Sequence, residues 1–426
     1  MRKVKKIIKN KTKKEAIKKI RIRVIGIGGG GSSIVSEISQ RISQPRKISF
    51  VAANTDLQSL KGLPKIVKPF SFGQELTNGL GTGMNFQLAE TAAQKEKERI
   101  KKLFSNQDLC FIIATLGGGA GSGASPVFSK ILNEMGVTSY GIFTLPFEFE
   151  GKKKMEIAMS ALEKLKTNLN AYSFIPNEKI FEIVSKETSM KAALSVINKK
   201  LAECLGSLIE MIDRPGLINI DFADVKTILS DSQKLAYLNA VESSGQNRAE
   251  EVTKKILQNP LYQYNISGAE KILYNISSSK NLKMSEVEKI SKSISNFNKK
   301  AKIIFGISKS QKYKDRVKIT LLATGCYLAS EKKALPTGRQ VLKTKKQKLQ
   351  KKEQKKIKEK VKETVTTLQV QPSQPKEDQL KKEKKKAKVR KSALEIKGEQ
   401  EELARKILQE EEKWEIPAFL RKKEKK

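Results

Sequence analysis

The run Leu116-Gly-Gly-Gly-Ala-Gly-Ser-Gly123 holds the residues best suited to gripping an anion, since five of its eight positions are glycine. It follows directly on the apolar segment Leu109-Cys-Phe-Ile-Ile-Ala-Thr115, which reads as a buried strand of a parallel sheet. Ala124 to Met135, with Val127, Ile131 and Leu132 at helical spacing, reads as a helix. A glycine loop between a strand and a helix lets bare backbone N–H groups close around a phosphate, with the helix dipole behind them. Glycine is required there because a Cβ would block the approach. No Lys-Ser or Lys-Thr follows the last glycine, so the run is not a P-loop. A merely flexible surface loop does not fit between two strongly apolar elements.

A second run, Gly26-Ile-Gly-Gly-Gly-Gly-Ser-Ser33, follows the short strand pattern Arg21–Ile25 and opens into Ile34-Val-Ser-Glu-Ile38. Gly26, Gly28 and Gly31 fit G-x-G-x-x-G, and Asp56 stands at the end of the next strand, Ile48 to Ala53. Alone, that pattern suggests a dinucleotide site with Asp56 on a ribose. It leaves the other glycine run without a purpose. Two glycine loops at strand ends of one sheet fit a mononucleotide whose phosphates are held from two sides.

Proton-handling groups are restricted, because the chain contains no histidine. That excludes His-based triads and His-ligated metals and leaves carboxylates or water. Asp221 and Asp224 are candidates, although either reads equally as an ordinary loop acid, with Asp224 capping a helix over 225–229. Glu150 lies beside Lys152 and Lys153, where it could be plain surface charge. Asn198 interrupts an apolar helical stripe and needs a polar partner, which a base edge would supply. Cys110, Cys204 and Cys326 are odd in number, widely spaced and apolar in surroundings, as in reduced core thiols of a cytosolic protein.

The elements that must position these residues alternate strand and helix from Ile20 to about Asn177. Strands are predicted at 22–25, 48–53, 109–114, 139–144 and 173–176, an α/β doubly wound sheet. Leu194, Ile197, Leu201, Leu205, Leu208 and Ile212 follow helical spacing and predict one long buried helix, stopped by Pro215-Gly216. A second unit from Phe222 to about Ala329 holds two helical stretches and strand-like runs at 271–276, 301–307 and 317–323. At 426 residues the chain has room for two domains and a tail. Lys and Arg number 85 against 45 Asp and Glu, a formal charge of +40 concentrated in residues 1–23 and 343–391. Those blocks are too polar to fold alone and would attract nucleic acid or anionic lipid, unless they are solvating linkers. No 18-residue apolar run predicts a transmembrane helix, and the N-terminus lacks a signal-peptide core. Trp414-Glu-Ile-Pro-Ala-Phe-Leu420 is an apolar island after a long polar stretch, as in a docking peptide.

In this order the motifs resemble the FtsZ family of tubulin-like cell-division GTPases. Leu116–Gly123 is joined by Asn54-Thr-Asp56, Gly79-Leu-Gly-Thr-Gly83, Pro146-Phe-Glu-Phe-Glu-Gly151, Ile175-Pro-Asn177 and Gly216-Leu-Ile-Asn-Ile-Asp-Phe-Ala-Asp224. The likeness runs from about Ile22 to Gly325 and resumes in Glu415-Ile-Pro-Ala-Phe-Leu-Arg421. It implies a tubulin/FtsZ-like α/β fold. A basic arm (1–20) would precede a Rossmann-type GTP-binding domain (21–190), a central helix (191–215) and a smaller α+β C-terminal domain (216–329). A basic disordered linker (330–410) and a docking peptide (411–426) would follow.

The same resemblance implies roles. Gly28, Gly29, Gly30, Gly31 and Ser32, with Gly117, Gly118, Gly119, Ala120, Gly121 and Ser122, would hold the phosphates, and Asn54 and Asp56 would line the same site. Gly81, Thr82 and Gly83 would close over the γ-phosphate side, where Mg²⁺ is expected. Glu150, helped by Lys154, would bond the ribose, and Asn177 and Asn198 would read guanine. Asn219, Asp221 and Asp224 would enter the next subunit's GTP site and orient the attacking water, phosphoryl transfer being mostly positioning and charge stabilisation. Expected partners are further copies in a head-to-tail filament, membrane-tethering adaptors on Glu415–Arg421, and anionic lipid or nucleic acid on the basic segments. The expected location is cytoplasmic, at the inner membrane face at midcell. Three positions depart from the family pattern. Ala120 stands for a usual threonine, Lys154 for a usual arginine, which trades a bidentate fork for a point charge, and the N-terminal arm is unusually basic. A dehydrogenase would bind NAD without polymerising, and a nucleic-acid-binding protein would explain the charge but not the glycine runs.

Overall fold

The computed structural model describes residues 20–42, 48–213, 216–279 and 281–327. The basic arm, Pro215, the lysine-rich linker and the Trp414–Leu420 island lie outside the described residues. Six strands form the first part of the sheet: β1 (Ile22–Ile27), β2 (Ile48–Asn54), β3 (Val67–Ser71), β4 (Leu109–Thr115), β5 (Thr138–Leu145) and β6 (Ala171–Pro176). They are all parallel, in the order β3-β2-β1-β4-β5-β6. β4 is buried from Leu109 to Ala114, the continuous apolar run expected of a parallel strand covered on both faces. The helices between the strands are α1 (Gly28–Arg41), α2 (Gln74–Thr77), α3 (Phe86–Lys95), α4 (Lys97–Phe104), α5 (Gly119–Glu134) and α6 (Lys152–Lys166).

α7 (Met190–Asp213) is the long helix predicted from the leucine spacing. It buries Ile197, Leu201, Leu205 and Leu208, while Leu194 stays 36% exposed. Beyond it lie α8 (Phe222–Ile228), β7 (Lys234–Ser244), α9 (Arg248–Leu257), β8 (Lys271–Ser278), α10 (Met284–Phe297), β9 (Lys302–Lys309) and β10 (Arg316–Thr324). This half extends the same sheet in the order β7-β10-β8-β9. The joint is short, with Ala171 and Tyr172 of β6 opposite Lys234 and Leu235 of β7. β10 runs antiparallel to β7 and β8.

The structure has two strands that the apolar pattern does not predict. β3 is an edge strand interrupted by Pro69, a residue tolerated only where no ladder hydrogen bond is needed. β7 carries Asn239 in its middle, 1% exposed, with Nδ2 donating to the Tyr237 hydroxyl and to the carbonyls of Lys255 and Ile256. A core amide held through its Nδ2, with Oδ1 left unpartnered, breaks the hydropathy run without breaking the strand. Among the described residues the second unit has three helices, of which α8 begins three residues earlier than the 225–229 stretch read from the sequence. All three cysteines are free and buried as expected, and burial pushes the Cys110 and Cys326 thiols up to about 12. Among the described residues no helix is long and apolar enough to cross a membrane.

Candidate functional site

Strand order reverses on either side of β1, with β2 on one flank and β4 on the other. A crevice opens at the carboxyl ends of the strands at such a point, where ligands of open α/β sheets bind. Both glycine runs lie there, following β1 and β4. They are loops only in part: Leu116–Gly118 turns between β4 and α5, but α1 begins at Gly28 and α5 at Gly119, so the remaining glycines after β1 and from Gly119 on form the first helical turns. The first four N–H groups of a helix have no intrahelical partner. Neither helix has a side-chain cap, its N-cap positions being Ile27 and Gly118. Two uncapped N-termini with their dipole ends at one crevice make a strong place for a polyphosphate.

Close packing dictates most of these glycines. Gly28 has φ +78°, and a Cβ there would lie 2.8 Å from the Gly121 nitrogen, so the two helix starts abut. A Cβ on Gly31 would lie 2.6 Å from the Ile113 carbonyl oxygen. On Gly30 or Gly121 it would collide with Thr115, and on Gly119 with the Thr82 hydroxyl. Gly29 and Gly118 differ, since a Cβ on either meets nothing within 4 Å. These two leave open space beside the backbone, where a ligand can approach. Gly29 is exposed, and Gly30, Gly118 and Ala120 are half-buried.

Of the three serines in the runs, Ser32 and Ser122 are buried and Ser33 is exposed. The Ser122 hydroxyl accepts from the Gly117 N–H at 2.8 Å and pins the start of its run. The Ser32 hydroxyl is buried without a protein partner.

Residues 79–84 form the wall beside α5. Gly79, Gly81, Gly83 and Met84 all have positive φ, a left-handed path that explains the glycine density. Thr82 is 9% exposed and packs on Gly119. Asp56 does not point freely into the crevice: its carboxylate accepts from the Gln58 N–H and the Ser59 hydroxyl, and these bonds hold its pKa below the ordinary value. Its backbone bridges to Leu80, so it ties this wall to the end of β2. Asn54 is buried, and its Oδ1 accepts from the Thr55 N–H.

Glu150 and Lys154 stand together after β5. Glu150 accepts from the Phe147 N–H and pairs with Lys154 at 2.9 Å, and a Cβ on Gly117 would touch the Lys154 carbonyl. Asn177 opens a short 3-10 turn at the end of β6, half-buried on the same edge. Asn198 is 9% exposed on α7, and its partner is one the sequence reading misses: Nδ2 donates to Glu37 Oε2 of α1 at 2.7 Å. Only the Glu37/Arg41 spacing of four hinted that Glu37 is organised.

Asn219, Asp221 and Asp224 are brought to none of these. They follow α7, whose 24 residues span about 36 Å, on the opposite edge of the sheet. Asn219 Oδ1 accepts from the Gly216 N–H, and the Ile218 backbone pairs with Ile307. Asp221, not Asp224, is the N-cap of α8. Asp221 Oδ1 accepts from the Asp224 N–H and Asp224 Oδ2 from the Asp221 N–H, both at 2.9 Å. This reciprocal box fixes both carboxylates at the surface. Leu217 beside them is 83% exposed. A cavity of about 550 Å³ lined by Lys200, Asn239, Tyr313 and Lys318 involves none of the candidate residues.

Paired glycine-lined helix starts at a switch point, a long central helix and a mixed second half define a tubulin-type nucleotide-binding protein. Residues 21–185 match the Tubulin/FtsZ family GTPase domain and residues 235–327 the FtsZ family C-terminal domain. The chain is 36% identical over 307 residues to the cell division protein FtsZ of Buchnera aphidicola from Acyrthosiphon pisum, covering 71% of this chain and 79% of that protein. Against the FtsZ of Pseudomonas aeruginosa it is 35% identical over 313 residues, 73% of this chain and 78% of that one. An empty FtsZ dimer from M. jannaschii superposes with a TM-score of 0.64 at 33% identity, covering 76% of this chain and 92% of that one. The chain belongs to the FtsZ family and is a GTPase of cell division.

Proposed function

We propose that this GTPase works as a head-to-tail filament in which the crevice of one copy is completed by the Asn219–Asp224 segment of the next. The observation that carries this reading is the separation of the two parts. From Asn198 at the crevice α7 runs on to Asp213, about 22 Å, before this segment begins, so one copy cannot bring Asp221 or Asp224 to its own nucleotide. Exposed Leu217 and Ile218 at one end, and Leu80 and Met84 at the other, supply apolar area for such a junction.

In this reading the N–H groups of Gly28–Gly31 and Gly119–Ser122 cradle the phosphates, and Gly81–Gly83 close the far side. Glu150 and Lys154 meet the ribose, and Asn177 and Asn198 meet the base. Asp221 and Asp224 of the neighbouring copy orient the attacking water. Among the described residues no three of Cys, Asp and Glu converge as a metal cage. Mg²⁺ would be held on the Gly81–Gly83 side of the crevice, where it would neutralise the charge that develops in phosphoryl transfer. Glu415–Arg421 would dock on a membrane-tethering adaptor, and the basic segments would add contacts to anionic lipid or nucleic acid. The filament would thereby lie at the inner membrane face at midcell.

Sedimentation tests this function. GTP with Mg²⁺ should drive the protein into the pellet and GDP should not; equal pelleting with GTP, GDP and no nucleotide contradicts it. Deleting residues 415–426 should abolish adaptor-dependent liposome flotation and spare pelleting.

A further inference from the structure

An asparagine is an ambiguous reader of a base, because its amide can present either a donor or an acceptor by turning over. Here the ambiguity is removed by Glu37. Its carboxylate is 24% exposed and accepts from Asn198 Nδ2 on Oε2, and from Arg41 Nη2 (2.7 Å) and the Ser195 hydroxyl on Oε1. Burial alone would raise the carboxyl's pKa, but the bonds from Ser195, Asn198 and Arg41 outweigh it and hold Glu37 ionised. An ionised carboxylate only accepts, so Asn198 must keep its NH₂ toward it. Both side chains are clamped between α1 and α7. Glu37 lies nine residues along α1 from Gly28, about 13 Å, a span that a nucleotide with its phosphates at Gly28 bridges.

We propose that Glu37 is a specificity-determining residue for guanine in this chain, a proposal that rests on the GTP-binding crevice described above. One N–H of Asn198 Nδ2 is used by Glu37, and the second is left for an acceptor. Arg41 and Ser195 take both lone pairs of Oε1, so Asn198 Nδ2 and Glu37 Oε2 are left to offer one donor and one acceptor. The Watson–Crick edge of guanine reads acceptor (O6) and then donor (N1–H), the complement of that order. Adenine offers a donor and then an acceptor and leaves the carboxylate facing a lone pair. Hypoxanthine and xanthine keep both the 6-oxygen and the N1–H.

The test is equilibrium binding of GTP, ITP, XTP and ATP to the full chain and to Glu37→Gln, with far-UV circular dichroism as the folding control. In the wild-type protein ATP should bind at least tenfold more weakly than GTP, and ITP within a few-fold of GTP. In E37Q the GTP affinity should fall roughly tenfold to a hundredfold, the loss of a hydrogen bond to a charged group. The GTP/ATP gap should narrow, because an amide in place of the carboxylate can donate to the adenine N1 lone pair. An equal loss for all four nucleotides would mark a purely structural residue and overturn the proposal, as would unchanged ratios. If E37Q does not fold, the wild-type ratio decides: ATP bound as tightly as GTP overturns the proposal, and a tenfold or greater preference for GTP and ITP over ATP supports it. A wild-type protein that binds no guanine nucleotide would instead overturn the crevice itself.

Discussion

Replacing Gly29 by alanine should raise the stability of the protein and lower its affinity for GTP. Gly29 sits in the first turn of α1 with a negative φ, and an added Cβ meets no atom within 4 Å. The new methyl therefore costs no packing, and the helix gains the difference between alanine and glycine, about 0.5–1 kcal/mol. For a chain of this size that raises Tm by about 1–3 °C. The same open space is where the phosphates are proposed to approach. A methyl there displaces a phosphate oxygen from at least one N–H, and a hydrogen bond to a charged group is worth about 1.5–3 kcal/mol. GTP should bind about 10- to 150-fold more weakly. Gly31→Ala is the contrasting variant, since its Cβ would lie 2.6 Å from the Ile113 carbonyl. Overpacking there should cost about 1–3 kcal/mol of stability. Thermal unfolding without nucleotide and titration with a fluorescent GTP analogue read the two effects separately. If Gly29→Ala binds GTP as the wild type does, the phosphates are not at this helix start.

Further expectations concern other parts of the chain. Asp221→Asn keeps a good N-cap, so it should leave α8 and GTP binding intact while lowering turnover about 10²- to 10⁴-fold; turnover above half the wild-type rate contradicts the role given to Asp221. Ala120→Thr should change GTP affinity about two- to twelvefold by adding a hydroxyl beside the phosphates, measured by the same titration. Arg248 and Glu286 form a partly buried two-bond pair, with Nε–Oε1 at 2.7 Å and Nη2–Oε2 at 3.0 Å, and Glu286→Ala should destabilise by about 1.5–3 kcal/mol in urea unfolding. The hydrogen bonds from Arg248 hold the Glu286 pKa below its ordinary value. Its stabilisation is thus complete above the ordinary carboxylate range and lost as pH falls through the lowered value, so the variant's deficit should shrink toward pH 3.

The anion-binding character of the crevice was legible because glycine density after an apolar strand has few other uses. Where the helices begin was not, since glycine is a poor helix former and only the packing of Gly28 on Gly121 shows it inside a helix. The long helix was legible from leucine spacing alone. β7 was hidden by Asn239, whose bonds to the α9 carbonyls exist only after folding. The Asp221/Asp224 pair was visible as acids, yet their mutual capping had to be seen to show that they are fixed in place. Glu37 was out of reach, because its contact with Asn198 joins residues 161 apart.

The central claim is that GTP is cleaved between two copies of the chain. The GTPase rate per subunit, measured against protein concentration at saturating GTP and Mg²⁺, tests it most directly. The rate should be near zero in dilute solution and rise steeply over the concentration range in which light scattering appears. A rate per subunit that is the same at every concentration would show that each copy completes its own site, and would contradict the assignment of Asp221 and Asp224 to a neighbour.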